Sequence, residues 1–425
     1  MTEFNCDLQL HGPFAGGTSK NTTIPLLAEQ AQLKGLQVLS TADVQQARWL
    51  EHLKQNVVEN QNGVFTDKNE KVNFIVGTEV EDNQRIHHLI YLQDFSRAAE
   101  FREKIKKFGT LDCSMCGRPI LKLTAEQIAE IVIDLKGMIG SSHSFTPYTG
   151  LFSKHNSVEK AYGKMASHIL FLELGLSADT HWADQISANH QYSFLSSSDA
   201  HSPWPHRLGR EFNRIEMKKP VFSELKKALE EREEKKIVLN AGLDPREGKY
   251  HETACNNCFS HFSIKDAQQF KWSCPNCRNP IKKGVRDRIM ELANSKEGKH
   301  PKFRPPYLHL LPLAEIIQQS LGIENVLSKG VQSKWKDFVE RFENEISILV
   351  DVPEKELLEF DSGIGKFILA FRNGWVHYSP GGGGDYGKPF IALSKEEFEE
   401  LKRNPPERTS KKNNFRGQKT LGEYG

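Results

Sequence analysis

One stretch decides the fold, Phe194-Leu195-Ser196-Ser197-Ser198-Asp199-Ala200-His201-Ser202-Pro203-Trp204-Pro205-His206. It begins as a short apolar, β-prone run, becomes polar at Ser196, and ends in prolines that stop regular structure. Asp199 and His201 point to the same side of an extended chain, where a carboxylate and an imidazole can bind one divalent ion. An isolated Asp-x-His pair is more often part of an ordinary turn. Ligands just past a strand are nevertheless typical of a β/α barrel, so the interpretation depends on the preceding chain.

The chain upstream of this stretch, and as far as about Leu243, alternates β-prone runs with amphipathic stretches. This alternation favours a parallel sheet or a barrel with helices packed against it. Strands are predicted over residues 4–10, 36–40, 74–80, 87–91, 138–142, 169–174, 192–195 and 237–239. Helices are predicted over 24–34, over 124–136 with Thr124 as the N-cap, and over 221–235 with Ser223 near its start.

Polar residues fall at the ends of six of these strands, and a barrel brings such ends to one face. Taken alone, a histidine such as His143 is more often a hydrogen-bonded loop residue, and a buried Glu79 would need a cation. Of the adjacent His87 and His88, strand alternation lets one face inward, and we expect His88. Together the residues predict a site for about two or three metal ions. The strand-end residues that form this predicted site are Gln9, His11, Asp43, Glu79, His88, His143, Asp199 and His201.

The cysteine spacing predicts a second metal centre. Two C-x-x-C pairs, Cys255 with Cys258 and Cys274 with Cys277, lie fifteen residues apart, which is zinc-ribbon spacing. Four thiolates close the coordination shell, so this centre supports structure or docking rather than catalysis. A third pair, Cys113-Ser114-Met115-Cys116, fits a redox pair, half of a metal site, or two ordinary loop thiols, and we favour the last.

The composition is that of a globular protein, with 38% hydrophobic and 26% charged residues. At 425 residues the chain has room for about two to three domains. No run approaches the ~18 apolar residues of a membrane span, and no charged-then-apolar leader stands at the N-terminus. We therefore expect a cytoplasmic, nucleoid-associated protein with reduced cysteines and no membrane partner. The net charge of +2 does not by itself indicate a nucleic-acid partner.

The order of the motifs resembles the PHP family, named for polymerase and histidinol phosphatase. More narrowly, three stretches resemble the endonuclease Q family of PHP-type DNA repair nucleases, which cut on the 5′ side of deaminated bases. They are 137–147 around Ser142-His143-Ser144, 173–179 beginning Glu173-Leu174-Gly175, and 198–211 around Asp199-Ala200-His201. The third is the most specific, and the likeness covers most of the chain. PHP proteins are distorted seven-stranded β/α barrels with a multinuclear metal cluster at the strand ends.

The resemblance implies an α/β fold, a distorted (β/α)7 PHP barrel followed by a zinc ribbon and a mostly helical C-terminal domain. The implied domains are a metal-dependent hydrolase barrel over 1–245, the ribbon over 246–283, a helical DNA-contacting domain over 284–403 and a basic tail over 404–425. We expect disorder in that tail. Its Gln418, Leu421 and Tyr424 resemble the peptide with which repair enzymes bind a DNA sliding clamp.

The implied activity is that of a metal-dependent endodeoxyribonuclease. It would cut 5′ to uracil, hypoxanthine, xanthine or an abasic site, in double- or single-stranded DNA. The implied catalytic residues are Asp199, His201 and Glu79. Zn²⁺, Mg²⁺ or Mn²⁺ would be held by His11, Asp43, Glu79, His88, His143, Asp199 and His201, and one structural Zn²⁺ by Cys255, Cys258, Cys274 and Cys277.

One departure from the family pattern leaves other functions open. The first PHP motif usually reads His-x-His, whereas this chain has Gln9-Leu10-His11. Glutamine is a poor substitute for imidazole on a transition metal, so one metal position is weakened. A phosphomonoesterase acting on a small phosphorylated metabolite would use the same ligands, but it requires neither ribbon nor tail. A non-catalytic DNA-binding adaptor is supported by Gln9 alone.

Overall fold

The structure is a computed structural model that describes residues 1–61, 63–295 and 297–406. This part of the chain is mixed α/β. Its strands are β1 (Thr2–Asp7), β2 (Val38–Ser40), β3 (Val57–Glu59), β4 (Phe65–Asp67), β5 (Asn73–Ile75), β6 (Gly77–Glu81), β7 (His87–Tyr91), β8 (Met138–Ser141), β9 (Phe171–Glu173), β10 (Ser193–Leu195), β11 (Phe212–Met217), β12 (Ile237–Gly242), β13 (Ala254–Cys255), β14 (Ile281–Lys282), β15 (Tyr307–His309), β16 (Val376–Ser379) and β17 (Lys388–Ile391).

The α-helices alternate with the strands as far as β12 and predominate after it. They are α1 (Ile24–Lys34), α2 (Ala47–Asn56), α3 (Phe95–Ile105), α4 (Ala125–Asp134), α5 (Leu151–Lys154), α6 (Val158–Tyr162), α7 (Thr180–Ala183), α8 (Phe222–Glu230), α9 (Ile264–Gln269), α10 (Val285–Leu292), α11 (Leu313–Leu321), α12 (Lys329–Phe342), α13 (Glu345–Val350), α14 (Glu354–Phe360), α15 (Ser362–Arg372) and α16 (Lys395–Arg403). Short 3-10 helices span Gly163–His168, Ser187–Gln191, Arg232–Glu234 and Pro245–Glu247.

Local sequence signals explain where the helices begin and end. Thr23 caps α1 by accepting the amide of Leu26, and the helix stops at Gly35, whose φ of 97° suits a residue without a side chain. Thr124 and Gln127 form a capping box at the start of α4. The predictions for α1 and for the Thr124 cap are confirmed. Helix α8 is shorter than predicted and ends at Glu230.

Two sheets carry the N-terminal half. Their strand orders are β15-β12-β11-β1-β2-β5-β4-β3 and β10-β9-β8-β7-β6. The predicted strand over 74–80 is bent into β5 and β6 at Val76, so one run of chain belongs to both sheets. Gly77 fits at the bend because a Cβ there would lie 2.5 Å from Ser40 Oγ. A parallel bridge between Leu10 and Ala200 joins the sheets again.

Strand direction decides which residues meet at the edge where β8 ends. β8, β9 and β10 run parallel, so Ser142, Glu173 and Ser196 come to one edge. β7 runs antiparallel to β8, with His88 opposite Ser141, so its first residues lie at this same edge. The site is therefore built from the ends of parallel strands and from the beginning of one antiparallel strand.

The C-terminal helices share a hydrophobic core with the strands and helices of the N-terminal half. The main cluster of buried apolar residues runs from Leu10 to Ile391. Two buried ion pairs cross the same contact, Lys34 with Glu345 at 2.7 Å and Arg304 with Asp184 at 2.8 Å. The predicted domain boundaries after residues 245, 283 and 403 stay a prediction.

Candidate metal centre

The carboxylate of Glu79, on β6, lies at the centre of the site and is almost completely buried. Its Oε2 atom is 3.2 Å from His11 Nε2, and its Oε1 atom is 3.3 Å from both His87 Nδ1 and His143 Nε2. Two groups of potential ligands meet here: Glu79, His87 and His143 form one, and His11, Asp199 and His201 form the other. Glu79 thus contacts members of both groups.

Asp43 contacts the group of His11, Asp199 and His201 through the His11 ring. His11 Nε2 lies 3.2 Å from Asp199 Oδ1, while His11 Nδ1 donates to Asp43 Oδ1 at 2.9 Å. Such a contact fixes the tautomer and leaves the Nε2 lone pair for an ion. Asp43 was predicted as a direct ligand, and the structure does not bring it into either group. Asp43 thus uses one oxygen to hold His11 and the other to accept the Gly12 amide.

The prediction that His88 rather than His87 faces the site is wrong. Directly paired residues of antiparallel strands point to the same face of the sheet. His87 is paired with Glu81 on β6, and Glu81 shares its face with Glu79, so His87 also points to that face. His87 Nε2 contacts Glu81 Oε2 at 3.1 Å, and its Nδ1 lies 3.0 Å from His143 Nε2. His88 points to the opposite face, where its Nδ1 lies 2.7 Å from the Tyr162 hydroxyl oxygen.

The electrostatics around Glu79 favour the charged form that a ligand requires. Burial alone would raise the pKa of Glu79, but the charges of His87 and Arg118 hold that pKa well below its usual range. Burial would likewise lower the pKa of His11, whereas the charge of Asp43 raises that pKa well above its usual value. The site is thus a dense cluster of carboxylates and imidazoles that needs positive charge.

Several polar groups of the site stay without a hydrogen-bond partner within the described residues, among them His11 Nε2, Asp199 Oδ1 and His143 Nδ1. Two ligand atoms about 2.1 Å from one tetrahedral ion lie about 3.4 Å apart. The spacings of 3.2 and 3.3 Å around Glu79 match that value. His11 Nε2 and Asp199 Oδ1, which lie 3.2 Å apart with no hydrogen-bond partner among the described residues, fit a divalent metal ion between them.

Sequence reasoning missed two residues of the site. Glu173 ends β9, its Oε2 atom accepts the His143 amide at 2.8 Å, and burial raises its pKa well above the usual range. Arg118 Nη1 donates to Glu79 Oε2 at 3.2 Å. Glu173 satisfied the same strand-end criterion that selected Glu79. Arg118 lies on a long connection, and the sequence offered no comparable signal for it.

Gln9 occupies the position where the PHP pattern has its first histidine. Its Nε2 donates to Glu79 Oε1 at 2.9 Å and to Ser142 Oγ at 2.7 Å. Its Oε1 is buried without a hydrogen-bond partner in the described part of the chain. Gln9 therefore contacts the Glu79 carboxylate, and its free oxygen could serve as a weak ligand.

Comparison with known structures identifies the family. The lesion-specific endonuclease PfuEndoQ from Pyrococcus furiosus superposes with a TM-score of 0.87 at 45% identity, over 95% of this chain and 99% of that one. Endonuclease Q in complex with a 27-mer duplex substrate with an abasic lesion at the active site gives a TM-score of 0.86, also at 45% identity. The chain belongs to the endonuclease Q family. The predicted PHP-type α/β fold with a cysteine cluster and helical C-terminal region is confirmed.

Relatives of this endonuclease Q family member also match by sequence. A family model described as the MJ0043 C-terminal domain matches residues 312–375. The uncharacterized protein MJ0043 of Methanocaldococcus jannaschii is 41% identical over 310 residues, and this chain spans only 38% of its length. The uncharacterized protein YqxK of Bacillus subtilis is 28% identical over 416 residues, which are 91% of this chain and 99% of that protein.

The second centre of the endonuclease Q chain brings its four cysteines together as predicted. The sulfur atoms of Cys255 and Cys277 lie 3.4 Å apart, and those of Cys258 and Cys274 lie 3.5 Å apart. A backbone hydrogen bond from Asn279 lowers the pKa of Cys277 to about 6, which favours the thiolate. This arrangement fits a structural Zn²⁺.

Two further expectations can be compared with the structure. Cys113 and Cys116 form a disulfide, so the interpretation as two ordinary loop thiols is wrong. No helix within the described ranges is long and apolar enough to cross a membrane. The clamp-binding residues Gln418, Leu421 and Tyr424 lie outside the described residues, as does most of the basic tail, and remain predictions.

Replacing His87 with glutamine is expected to reduce the metal content, because His87 contributes a nitrogen to the Glu79 group. We expect about one metal ion fewer per chain, measured by mass spectrometry of the purified protein. His88→Gln is the matched control, since His88 faces Tyr162 on the other side of the strand. Loss of metal in the His88 variant but not in the His87 variant would contradict the assignment.

Proposed function

We propose that this endonuclease Q family member is a metal-dependent DNA endonuclease that hydrolyses the phosphodiester bond 5′ to a deaminated base or an abasic site. The observation that carries the proposal is the position of the Glu79 carboxylate between two groups of potential ligands. A relative of 45% identity over nearly the whole chain is a lesion-specific endonuclease. Another is solved with an abasic duplex at its active site, which supports DNA as the substrate.

In this proposal His11, Asp199 and His201 would hold one divalent ion and His87 and His143 a second, with the Glu79 carboxylate contributing to the site between them. Bound divalent ions supply a water of lowered pKa and neutralise charge on the phosphate. The other residues prepare these ligands. Asp43 orients His11, Glu81 orients His87, and Ser142 donates to Glu79 Oε1 at 2.6 Å, so the ligand atoms are held in place before an ion binds.

The metal content separates this proposal from a non-catalytic DNA-binding adaptor. Gln9 favours a second candidate, a DNA-binding adaptor with an incomplete cluster, because a histidine at this position would be the stronger ligand. Metal analysis decides between them. More than one metal ion per chain beyond the ribbon zinc supports the nuclease, and less than one supports the adaptor. If less than one metal ion is found, Gln9→His should restore metal binding and cleavage together.

The proposal is tested on end-labelled duplexes with one deoxyuridine, one deoxyinosine, one deoxyxanthosine, one abasic site or no lesion. Each is incubated with the protein and Mg²⁺, Mn²⁺ or Zn²⁺, and the cut is mapped on a sequencing gel. We expect one incision immediately 5′ to the lesion and none in the unmodified duplex. Release of phosphate from p-nitrophenyl phosphate without any incision would instead indicate a phosphomonoesterase.

A further inference from the structure

Arg118 contributes a positive charge directly beside the Glu79 carboxylate. Its Nη1 atom donates to Glu79 Oε2, the oxygen that also faces His11. Asp199, on the same side of the site, is close enough to interact with the Arg118 charge. The guanidinium thus lies next to the ion that His11 and Asp199 would share.

Arg118 also lies at the solvent-accessible edge of the site. The side chains of Arg118, Asp199 and His201 are 28%, 27% and 32% exposed. Those of Glu79 and His11 are exposed by 2% or less. A substrate that reaches the cluster therefore meets Arg118 together with Asp199 and His201.

The loop that carries Arg118 is held on both sides of this residue. Before it, Asp112 accepts the Ala47 amide at 3.1 Å. After it, the Pro119 carbonyl accepts the Glu81 amide at 3.0 Å. Gly117 packs so closely on the site that a Cβ there would lie 2.4 Å from Asp43 Oδ2. The backbone at Gly117 therefore lies directly against Asp43, which places Arg118 beside the cluster.

The disulfide between Cys113 and Cys116 closes this loop immediately before Gly117 and Arg118. The Cys116 amide also donates to the Cys113 carbonyl at 3.4 Å, so the bridge and the backbone define one tight turn. Cys113 is exposed, whereas Cys116 is 8% exposed, so the bridge is open to solvent on the Cys113 side. A dithiol can therefore reach it.

We infer that Arg118 is a phosphate-binding catalytic residue of the proposed nuclease, and that the Cys113–Cys116 bridge positions it. The inference rests on the proposed function. A guanidinium binds phosphate oxygens through two parallel N–H groups, which a lysine does not reproduce. Once divalent ions neutralise Glu79, the guanidinium beside them needs another anion, and the phosphate of the substrate provides it.

Three variants test the role of Arg118. Arg118→Ala is expected to lower single-turnover cleavage of an abasic duplex by about a hundredfold or more, with Arg118→Lys in between. Inorganic phosphate, titrated calorimetrically into the metal-loaded protein, should bind about tenfold more weakly to Arg118→Ala. The metal content of this variant should be unchanged or higher, because Arg118 competes with an ion for Glu79 Oε2. Arg97→Ala, which removes an arginine of α3 paired with Glu100, is the control and should change none of these.

The bridge is tested by reduction. A dithiol breaks the S–S bond, adds one hydrogen to each sulfur and is itself converted to a disulfide. After reduction we expect the wild-type protein to lose about tenfold in cleavage and in phosphate affinity, because Arg118 is less well positioned. Cys113→Ser with Cys116→Ser should show the reduced level under both conditions. Arg118→Ala should show no further loss on reduction.

Each outcome decides one part of the inference. Equal phosphate affinity and cleavage in Arg118→Ala and the wild type would overturn the phosphate role. Full activity of the wild type with both thiols shown free by alkylation and mass spectrometry would overturn the positioning role. If the wild type cuts no duplex, the proposed function fails, and the phosphate titration still decides whether Arg118 binds phosphate.

Discussion

Replacing Asp199 with asparagine is expected to lower the rate of lesion cleavage by about a thousandfold, while the fold stays intact. Asp199 Oδ1 lies 3.2 Å from His11 Nε2 and has no hydrogen-bond partner among the described residues, as expected of a ligand atom. Asparagine removes the charge that an ion requires. It keeps the backbone, because Asp199 has a φ of 47° and asparagine tolerates this left-handed region.

The measurement is single-turnover cleavage of an end-labelled abasic duplex, together with the melting temperature and the metal content. Asp94→Asn is the matched control, since Asp94 caps α3 far from the site and asparagine caps equally well. We expect the control to cleave like the wild type. Undiminished cleavage by the Asp199 variant would remove Asp199 from the proposed mechanism.

The fold could be predicted largely because local signals and barrel topology agree. The apolar run that ends in Ser196 became β10, and the Thr124 cap stands at the start of α4. The sequence did not reveal the bend at Val76, which divides one predicted strand between two sheets. That bend depends on how closely Ser40 approaches Gly77, a contact between distant parts of the chain.

The site could be predicted best where candidate ligands follow a strand, as His143 follows β8 and Asp199 follows β10. The structure brings Glu79, His143, Asp199 and His201 into the two groups of potential ligands. The choice of His88 failed because alternation states that one of two neighbours faces inward, without stating which. The register of β6 and β7 decides it, since Glu81 opposite His87 shares the face of Glu79.

Residues that act through a long connection were beyond sequence reasoning. Arg118 reaches Glu79 from a loop, and nothing in its neighbouring sequence indicates that contact. The Cys113–Cys116 pair was visible, but the spacing alone did not separate a disulfide from free thiols. In both cases the decisive information is three-dimensional proximity.

Replacing Glu345 with glutamine is expected to destabilise the protein by about 3–5 kcal/mol, because it leaves the Lys34 ammonium buried without its counter-charge. Lys34 Nζ lies 2.7 Å from Glu345 Oε1, and both side chains are at most 2% exposed. Glu345 also accepts the Leu313 amide and the Trp335 indole N–H. Glutamine keeps one acceptor oxygen but places an NH2 group where the other oxygen was, so the expected loss combines the missing charge with one missing hydrogen bond.

The matched control is Glu359→Gln, which breaks an exposed Lys355–Glu359 pair and should change the free energy of unfolding by less than about 1 kcal/mol. The measurement is urea-induced unfolding of both variants. Lys34→Met combined with Glu345→Gln should recover much of the loss, since no buried charge is then unpaired. Because Lys34 ends α1 and Glu345 begins α13, equal effects of the two single glutamine variants would mean that this pair does not hold the C-terminal helices on the barrel.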